Sequence, residues 1–223
     1  SRIQSDGGLE YIVFDEAHEM PDVASDHMGL SISSWALETF LRRLYNPRRG
    51  KGLLKMAGRL SDLEAVEYAI QAVDDFFQFL NIETLGQKDR MRLVEKGRMP
   101  MEIFPPLSLV LRKLVELGES CDDETSKLEI KDQTKRMQAY INGLSEIFDL
   151  KNSDAVYWLE RTGKKNQIIH MRSAPIKVAE ILREALFSKQ SSIIMTSATL
   201  TRKGKSDSFK EEVGLDNATE CVV

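Results

Sequence analysis

The chain has 223 residues, with 31 Lys and Arg against 35 Asp and Glu for a formal charge of −4, and two cysteines, Cys121 and Cys221. No apolar run approaches the ~20 residues needed to span a bilayer, so no membrane association is expected, and the opening Ser1 to Asp6 has no apolar signal core. The cysteines are far apart and lack C-x-x-C spacing, which argues against a disulfide framework or a metal cluster and for free thiols. An acidic balance does not by itself point to nucleic acid, and the length suits one large or two small domains.

The first element is a predicted buried strand, Tyr11-Ile12-Val13-Phe14, that ends abruptly in Asp15-Glu16-Ala17-His18. In nucleotide-hydrolysing α/β domains, a carboxylate at a strand's carboxyl end holds Mg²⁺ through water, and its neighbour can orient the attacking water. Asp15 and Glu16 stand at that place. A short helix or irregular segment follows from Ala17 to Met28, limited by Pro21. Ser33 or Ser34 can cap the next helix, whose Leu37, Phe40, Leu41 and Leu44 recur at helical spacing until Asn46-Pro47 ends it.

Between Phe40 and Leu60 lie Arg42, Arg43, Arg48, Arg49, Lys51, Lys55 and Arg59 with no acid among them, and Tyr45 sits in their midst. Such a run suits a phosphate backbone, with an aromatic ring available to stack on a base. It suits equally a solvated basic turn, marked by Asn46-Pro47 and Gly50-Lys51-Gly52.

Leu63, Val66, Ile70, Val73, Phe77 and Leu80 then alternate steps of three and four, with Ser61 as N-cap and Glu64 completing a capping box. The stretch from Leu85 to Pro100 is charged and only weakly periodic, and Gly97-Arg98-Met99-Pro100 reads as a loop. A helix resumes at Pro105 or Pro106 with a Leu107, Leu111, Leu114, Leu117 stripe and Gly118 as its C-terminal cap. A long helix from about Asp122 to Leu150 carries Ile130, Met137, Ile141, Leu144 and Phe148. These stripes predict the seam of a helical bundle, with no chemistry assigned to them.

Beyond Asp154 the period becomes strand-like. Val156 to Leu159 and Gln167 to Met171 flank a polar Gly163-Lys164-Lys165-Asn166 turn, which predicts a hairpin with Trp158 as packing and His170 as a strand histidine. Pro175 starts a helix bearing Ile176, Ala179, Leu182 and Leu186. A last apolar strand, Ser191 to Thr196, runs into Ser197-Ala198-Thr199-Leu200, where small hydroxyls are ready to hydrogen-bond a carboxylate or phosphate.

Other chemistries fit less well. His18-Glu19 is followed at zinc spacing by Asp22 rather than a second His, and Ser197 lacks the flanking glycines of a nucleophile elbow. No G-x-x-x-x-G-K-[ST] loop occurs; Asp6-Gly7-Gly8 and Arg49-Gly50-Lys51-Gly52 have neither its spacing nor its context.

The D-E-A-H sequence after one strand and S-A-T-L after another resemble motifs II and III of superfamily 2 helicases, most closely the DinG/XPD-like branch, in which a helical arch is inserted between them. The resemblance implies an α/β motor-domain portion (a partial parallel sheet) with a large all-α insertion, the helical arch. Residues 1–30 would be motor domain one with D-E-A-H, 31–153 the arch, and 154–223 the return to motor domain one with hairpin, helix and S-A-T-L. It implies a piece of an ATP-dependent 5′-to-3′ DNA helicase, a cytoplasmic bacterial protein acting on single-stranded DNA in repair. ATP and Mg²⁺ are the implied cofactors. Asp15 would be the Mg²⁺ partner and Glu16 the water-orienting base, while His18 and Ser197-Ala198-Thr199 couple nucleotide state to DNA movement. Arg42, Arg43, Arg48, Arg49 and Lys51 are the DNA-binding candidates. The P-loop, and in many members four cysteines for an iron–sulfur cluster, would lie upstream, and a second motor domain with a catalytic arginine downstream; the chain alone should therefore not hydrolyse ATP.

Two rival readings remain open: a degenerate motor or nuclease of the same fold, and a helical protein-interaction module. The shared-cleft reading makes a geometric demand. Tyr11–Asp15 and Ile193–Thr196 should pair as parallel neighbours, with Asp15 and Glu16 beside Ser197 or Thr199.

Overall fold

The computed structural model describes residues 11–97, 99–163, 168–188, 192–199, 206–215, 218–219 and 221. The polar turn predicted at Lys164 to Asn166, Arg98 of the predicted loop, and Leu200 lie outside them. Two compact units form, one from residues up to Gly29 together with those from Ala174 on, the other from Leu30 to Ser173. Among the described residues no helix is long and apolar enough to cross a membrane.

In the smaller unit, β1 (Ile12–Phe14) pairs in parallel with β6 (Ile193–Met195), in the register Ile12 with Ile193, Val13 with Ile194 and Phe14 with Met195. The predicted neighbourhood is therefore present, although nearly the whole chain separates the two strands. The expected full burial of β1 is not: Val13 is 56% and Ile194 52% exposed, while Ile12 and Phe14 are half-buried, so only one face of this two-stranded sheet is covered. Helices α1 (Met20–Met28), α7 (Val178–Leu182) and α8 (Asp207–Val213) meet around Ala24, Leu182 and Val213. Pro175 closes a strand rather than opening a helix; α7 begins at Val178 and continues as a π-helical turn, Arg183–Phe187.

The larger unit holds α2 (Ser34–Leu44), α3 (Leu53–Ala57), α4 (Leu60–Phe79), α5 (Phe104–Ser120) and α6 (Glu124–Asp149). The Ser33 hydroxyl accepts from the Ala36 amide and caps α2, whose Leu37, Phe40, Leu41 and Leu44 are all buried. The α4 seam lies in the core at every predicted position from Leu63 to Leu80. Its start differs from expectation. Asp62, not Glu64, accepts the amide of Arg59, and Lys113 lies 3.4 Å from the same carboxylate, so a buried acid replaces the predicted Ser61 cap. Gly118 does not end α5, which runs to Ser120; a Cβ there would stand 3.3 Å from Ile130, so the glycine admits close packing of α5 on α6.

The larger unit is not all-α. A four-stranded sheet of order β2-β5-β4-β3 belongs to this unit, built from β2 (Ser31–Ser33), β3 (Arg90–Leu93), β4 (Ala155–Thr162) and β5 (Ile168–Pro175). The predicted hairpin, formed by β4 and β5, packs in this unit. The physical reason is alternation: Tyr157, Leu159, Ile169 and Met171 are buried in the same core as the helices, joined by Ile32 and Leu93. On the other face Arg90 lies over the Trp158 ring at 4.6 Å, the indole N–H donates to Glu160, and Arg172 pairs with Glu160 at 2.8 Å, so Trp158 serves as hairpin packing. At Gly143 of α6 a Cβ would meet Ile32 Cδ1 at 2.9 Å, which is how closely this helix approaches β2.

Both cysteines are free thiols, Cys121 half-buried and Cys221 exposed.

Candidate functional site

The parallel pairing of β1 with β6 fixes where both strand ends fall. The Thr196 amide donates to the Phe14 carbonyl at 2.8 Å, and the Ala17 amide donates to the Thr196 carbonyl at 3.0 Å. Between those two bonds the chain turns through Glu16, a non-glycine residue in the left-handed region at φ 51°, ψ 42°. Such a conformation costs on the order of 1–2 kcal/mol and persists only where neighbours hold it. Here the ladder holds it on both sides.

The bend brings Asp15, Glu16 and His18 onto Thr196, Ser197 and Thr199. Thr196 Oγ1 donates to Asp15 Oδ1 at 2.7 Å, and the same oxygen accepts the Glu16 amide at 3.0 Å. Ser197 Oγ donates to Glu16 Oε2 at 3.4 Å and accepts the Thr199 amide at 3.2 Å. His18 Nδ1 lies 2.9 Å from Ser197 Oγ and 3.2 Å from Glu16 Oε2, so with Ser197 donating to the carboxylate, Nδ1 carries the proton of this triangle. Thr199 Oγ1 stands 3.4 Å from Ser197 Oγ, and Ala198 is exposed in the turn between them. Every predicted acid and hydroxyl at the two strand ends is therefore in one hydrogen-bonded group.

Thr196 is the member that motif reading passed over. It looked like the last residue of a strand, and its only sequence signal was a hydroxyl beside the turn. Its hydrogen bond, followed by the Glu16 amide, holds the Asp15 carboxyl below the ordinary carboxylate range, which keeps it ionised. An ionised carboxylate with one oxygen engaged by the protein fits Mg²⁺, which retains several waters and takes one or two carboxylates plus phosphate oxygens. No group of three or more His, Cys, Asp or Glu stands ready for a metal among the described residues, so what they offer is an open edge and not a closed cage.

The basic candidates lie in the larger unit. Arg42 pairs with Glu38 at 2.7 Å, so its charge is already matched on its own helix. Arg48, Arg49 and Lys51 are exposed on a tight turn: Asn46 accepts the Arg49 amide on its side chain and the Gly50 amide on its carbonyl, and donates to the Lys51 carbonyl at 2.7 Å. Gly52, at φ 148°, closes the turn where a Cβ would stand 2.4 Å from the Leu44 carbonyl. Tyr45 packs against the core, so it is not the free stacking ring the sequence suggested. Arg43 has a companion that sequence order concealed. The Tyr140 hydroxyl is pushed up by burial and pulled down by Arg136 and Arg43, and Arg136 lies over the Phe40 ring at 5.5 Å with Tyr140 against the same ring at 5.3 Å. Arg43 and Arg136, exposed on α2 and α6, thus both act electrostatically on one tyrosine.

No protein-family model matches the chain. The chain is 28% identical to "Probable ATP-dependent helicase YpvA" of Bacillus subtilis, over 95% of its own length and 31% of that protein. It is 25% identical to "ATP-dependent DNA helicase YoaA" of Haemophilus influenzae, over 96% of its length and 32% of that protein. It is 23% identical to "3'-5' exonuclease DinG" of Bacillus subtilis, over 92% and 26% respectively. The chain therefore spans about a third or less of the length of these relatives. A solved structure titled "Structure of S. tokodaii Xpd4" aligns with 91% of the chain and 37% of its own, at 16% identity and a TM-score of 0.46.

Proposed function

We propose that this chain is a member of the DinG/XPD-like family of superfamily 2 helicases and supplies part of the ATP-hydrolysing edge of motor domain one and a DNA-contacting insertion in an ATP-dependent DNA helicase. The observation that carries the reading is the parallel β1–β6 pair, which joins the Asp15-Glu16-His18 group to the Thr196–Thr199 group by direct hydrogen bonds.

In this reading Asp15 is the Mg²⁺ partner and Glu16 the base that orients and deprotonates the attacking water. Mg²⁺ held beside Asp15 would supply positive charge to offset that of the phosphates. The His18–Ser197–Glu16 triangle is the coupling element: a change in what Glu16 contacts is felt at Ser197, Ala198 and Thr199, and so at the end of β6. The larger unit, including its sheet, is the arch. Arg43, Arg48, Arg49 and Lys51, with Arg42 held by Glu38, are its contacts to a single strand, moved 5′ to 3′. ATP and Mg²⁺ are the cofactors, a P-loop comes from elsewhere in the parent protein, and this chain alone turns over no ATP. An iron–sulfur cluster, where the parent has one, uses cysteines outside this chain, and the protein acts in the bacterial cytoplasm.

The test is Glu16→Gln in the full-length protein. Removing a general base should lower ATP turnover on the order of 10²–10⁴-fold, while ATP binding, read with a fluorescent analogue, is unchanged. Turnover equal to wild type removes Glu16 from catalysis. Similarity to the 3'-5' exonuclease DinG favours a second reading, a nuclease on the same scaffold. Degradation of a labelled strand by the full-length protein without ATP, and with no strand displacement when ATP is added, would select it.

A further inference from the structure

Thr196 touches the Phe14–Ala17 segment at three points. Two are backbone bonds, to the Phe14 carbonyl and from the Ala17 amide, and any residue in this parallel ladder makes them. The third, the 2.7 Å bond from Oγ1 to Asp15 Oδ1, needs a hydroxyl. That oxygen also accepts the Glu16 amide, so Oδ1 is held by two donors from opposite strands of the pair, and both bonds fix the rotation of the carboxylate. Among the described residues Oδ2 has no hydrogen-bond partner.

We propose that Thr196 is a positioning residue for the metal site: its hydroxyl holds Asp15 Oδ1 toward the strand pair and leaves Oδ2 as the oxygen that meets a Mg²⁺-bound water. This rests on the reading of Asp15 as the Mg²⁺ partner. Without the hydroxyl, the carboxylate keeps only the amide of its own neighbour and is free to rotate. It then presents either oxygen to the metal and loses part of its preorganisation. The β-branched shape of Thr suits the strand equally well as Val, so shape and hydroxyl can be separated by mutation.

The experiment uses the full-length protein with a non-hydrolysable ATP analogue and Mn²⁺ as a Mg²⁺ surrogate, free Mn²⁺ being read by electron paramagnetic resonance. Thr196→Val should weaken Mn²⁺ binding about three- to tenfold, the range of a typical net hydrogen bond, because exposure to water keeps this one below the value of a buried bond to a charged group. The Mg²⁺ concentration for half-maximal ATP hydrolysis should rise by the same factor. Thr196→Ser should restore both values, and Thr196→Ala should behave as Val does, which guards against a folding defect in one variant. Wild-type Mn²⁺ binding in Val and Ala variants that retain the native circular-dichroism spectrum overturns the inference, as does failure of Ser to rescue. Asp15→Asn separates this from its premise. If it binds Mn²⁺ as wild type does, the Asp15 assignment and the inference fall together. If it loses Mn²⁺ while Thr196→Val does not, the inference alone falls.

Discussion

Arg161 predicts a large stability effect that no motif announces. Its Nε donates to Asn81 Oδ1 at 2.7 Å, one terminal nitrogen donates to the carbonyls of Asn81 and Gly86 at 2.7 Å each, and the other donates to the Lys88 carbonyl at 3.0 Å. These acceptors belong to the end of α4, where the helix passes into a π-helical turn, Leu80–Leu85, and then into Gly86 at φ 55°. A helix end leaves carbonyls without intrahelical partners and a partial negative charge, so a guanidinium there supplies both donors and a matching charge. The magnitude follows from exposure. The bonds to Gly86 and Lys88 are exposed, and water replaces them on truncation; the two to Asn81 are partly buried and charge-assisted, at ~1.5 kcal/mol each. Arg161→Met should therefore lower the unfolding free energy of the larger unit by about 3 kcal/mol, and Arg161→Lys, a single point donor, by roughly half of that. Urea titration followed by far-ultraviolet circular dichroism measures both. A Met variant within about 0.5 kcal/mol of wild type, the usual range for a surface substitution, refutes the clamp.

Neutralising Arg48, Arg49 and Lys51 together should cut single-stranded DNA affinity and reduce the slope of log K against log salt by about 2, since each phosphate contact on a single strand contributes ~0.7. Fluorescence anisotropy across a salt series reads this, and an unchanged slope makes the loop a solvated turn. His170 gives a pH signature. Burial first and then Arg172 push its imidazole pKa down, with Glu160 opposing, while its Nε2 sits 2.7 Å from the Thr162 hydroxyl. The folded state thus binds its proton less readily than the unfolded chain, so stability is full above the unfolded value of ~6.5 and is lost as pH falls toward the folded one. The urea midpoint of wild type should drop more steeply between about pH 8 and 5 than that of His170→Gln; parallel curves refute it.

The legible parts of the fold were those with a long period. Five seam positions on α4, with Leu80 just beyond it, and five on α6 state a helix many times over, and local propensity agrees with packing at each. Strand β3 was hidden because Arg90 and Arg92 occupy its outer face, leaving Met91 and Leu93 as the only apolar residues in a charged segment. Strand β2 is three residues long and flanks a helix cap, so Ser31-Ile32-Ser33 carries no period at all. The candidate site was legible in its acids and its small hydroxyls because each closes an apolar run. Hidden in the sequence is the partner of each group: the Thr196–Asp15 and Phe40–Tyr140 contacts join residues from elements far apart in the chain, through a register and a packing that only folding fixes.

That register also explains how so large a unit can stand between the two halves of one site. The larger unit begins and ends on a single pair of residues. Leu30 donates its amide to the Ser173 hydroxyl at 3.1 Å, and the Ser173 amide returns a bond to the Leu30 carbonyl at 2.9 Å, although 143 positions separate them. From there β2 and β5 run antiparallel, Ser31 against Arg172, Ile32 against Met171 and Ser33 against His170. Entry and exit are therefore adjacent strands of one sheet, and the ends of the insertion are held at strand-pair spacing by the unit's own hydrogen bonds. A domain with adjacent termini can interrupt a host without stretching it, because the host sees only a short stem. The sheet excluded from the all-α expectation is what makes that stem: without β5 returning beside β2, a bundle of five helices would release its ends wherever the last helix stopped. A long, folded unit between Asp15-Glu16 and Thr196-Ser197 is thus compatible with hydrogen bonds of 2.7–3.4 Å across their shared strand end.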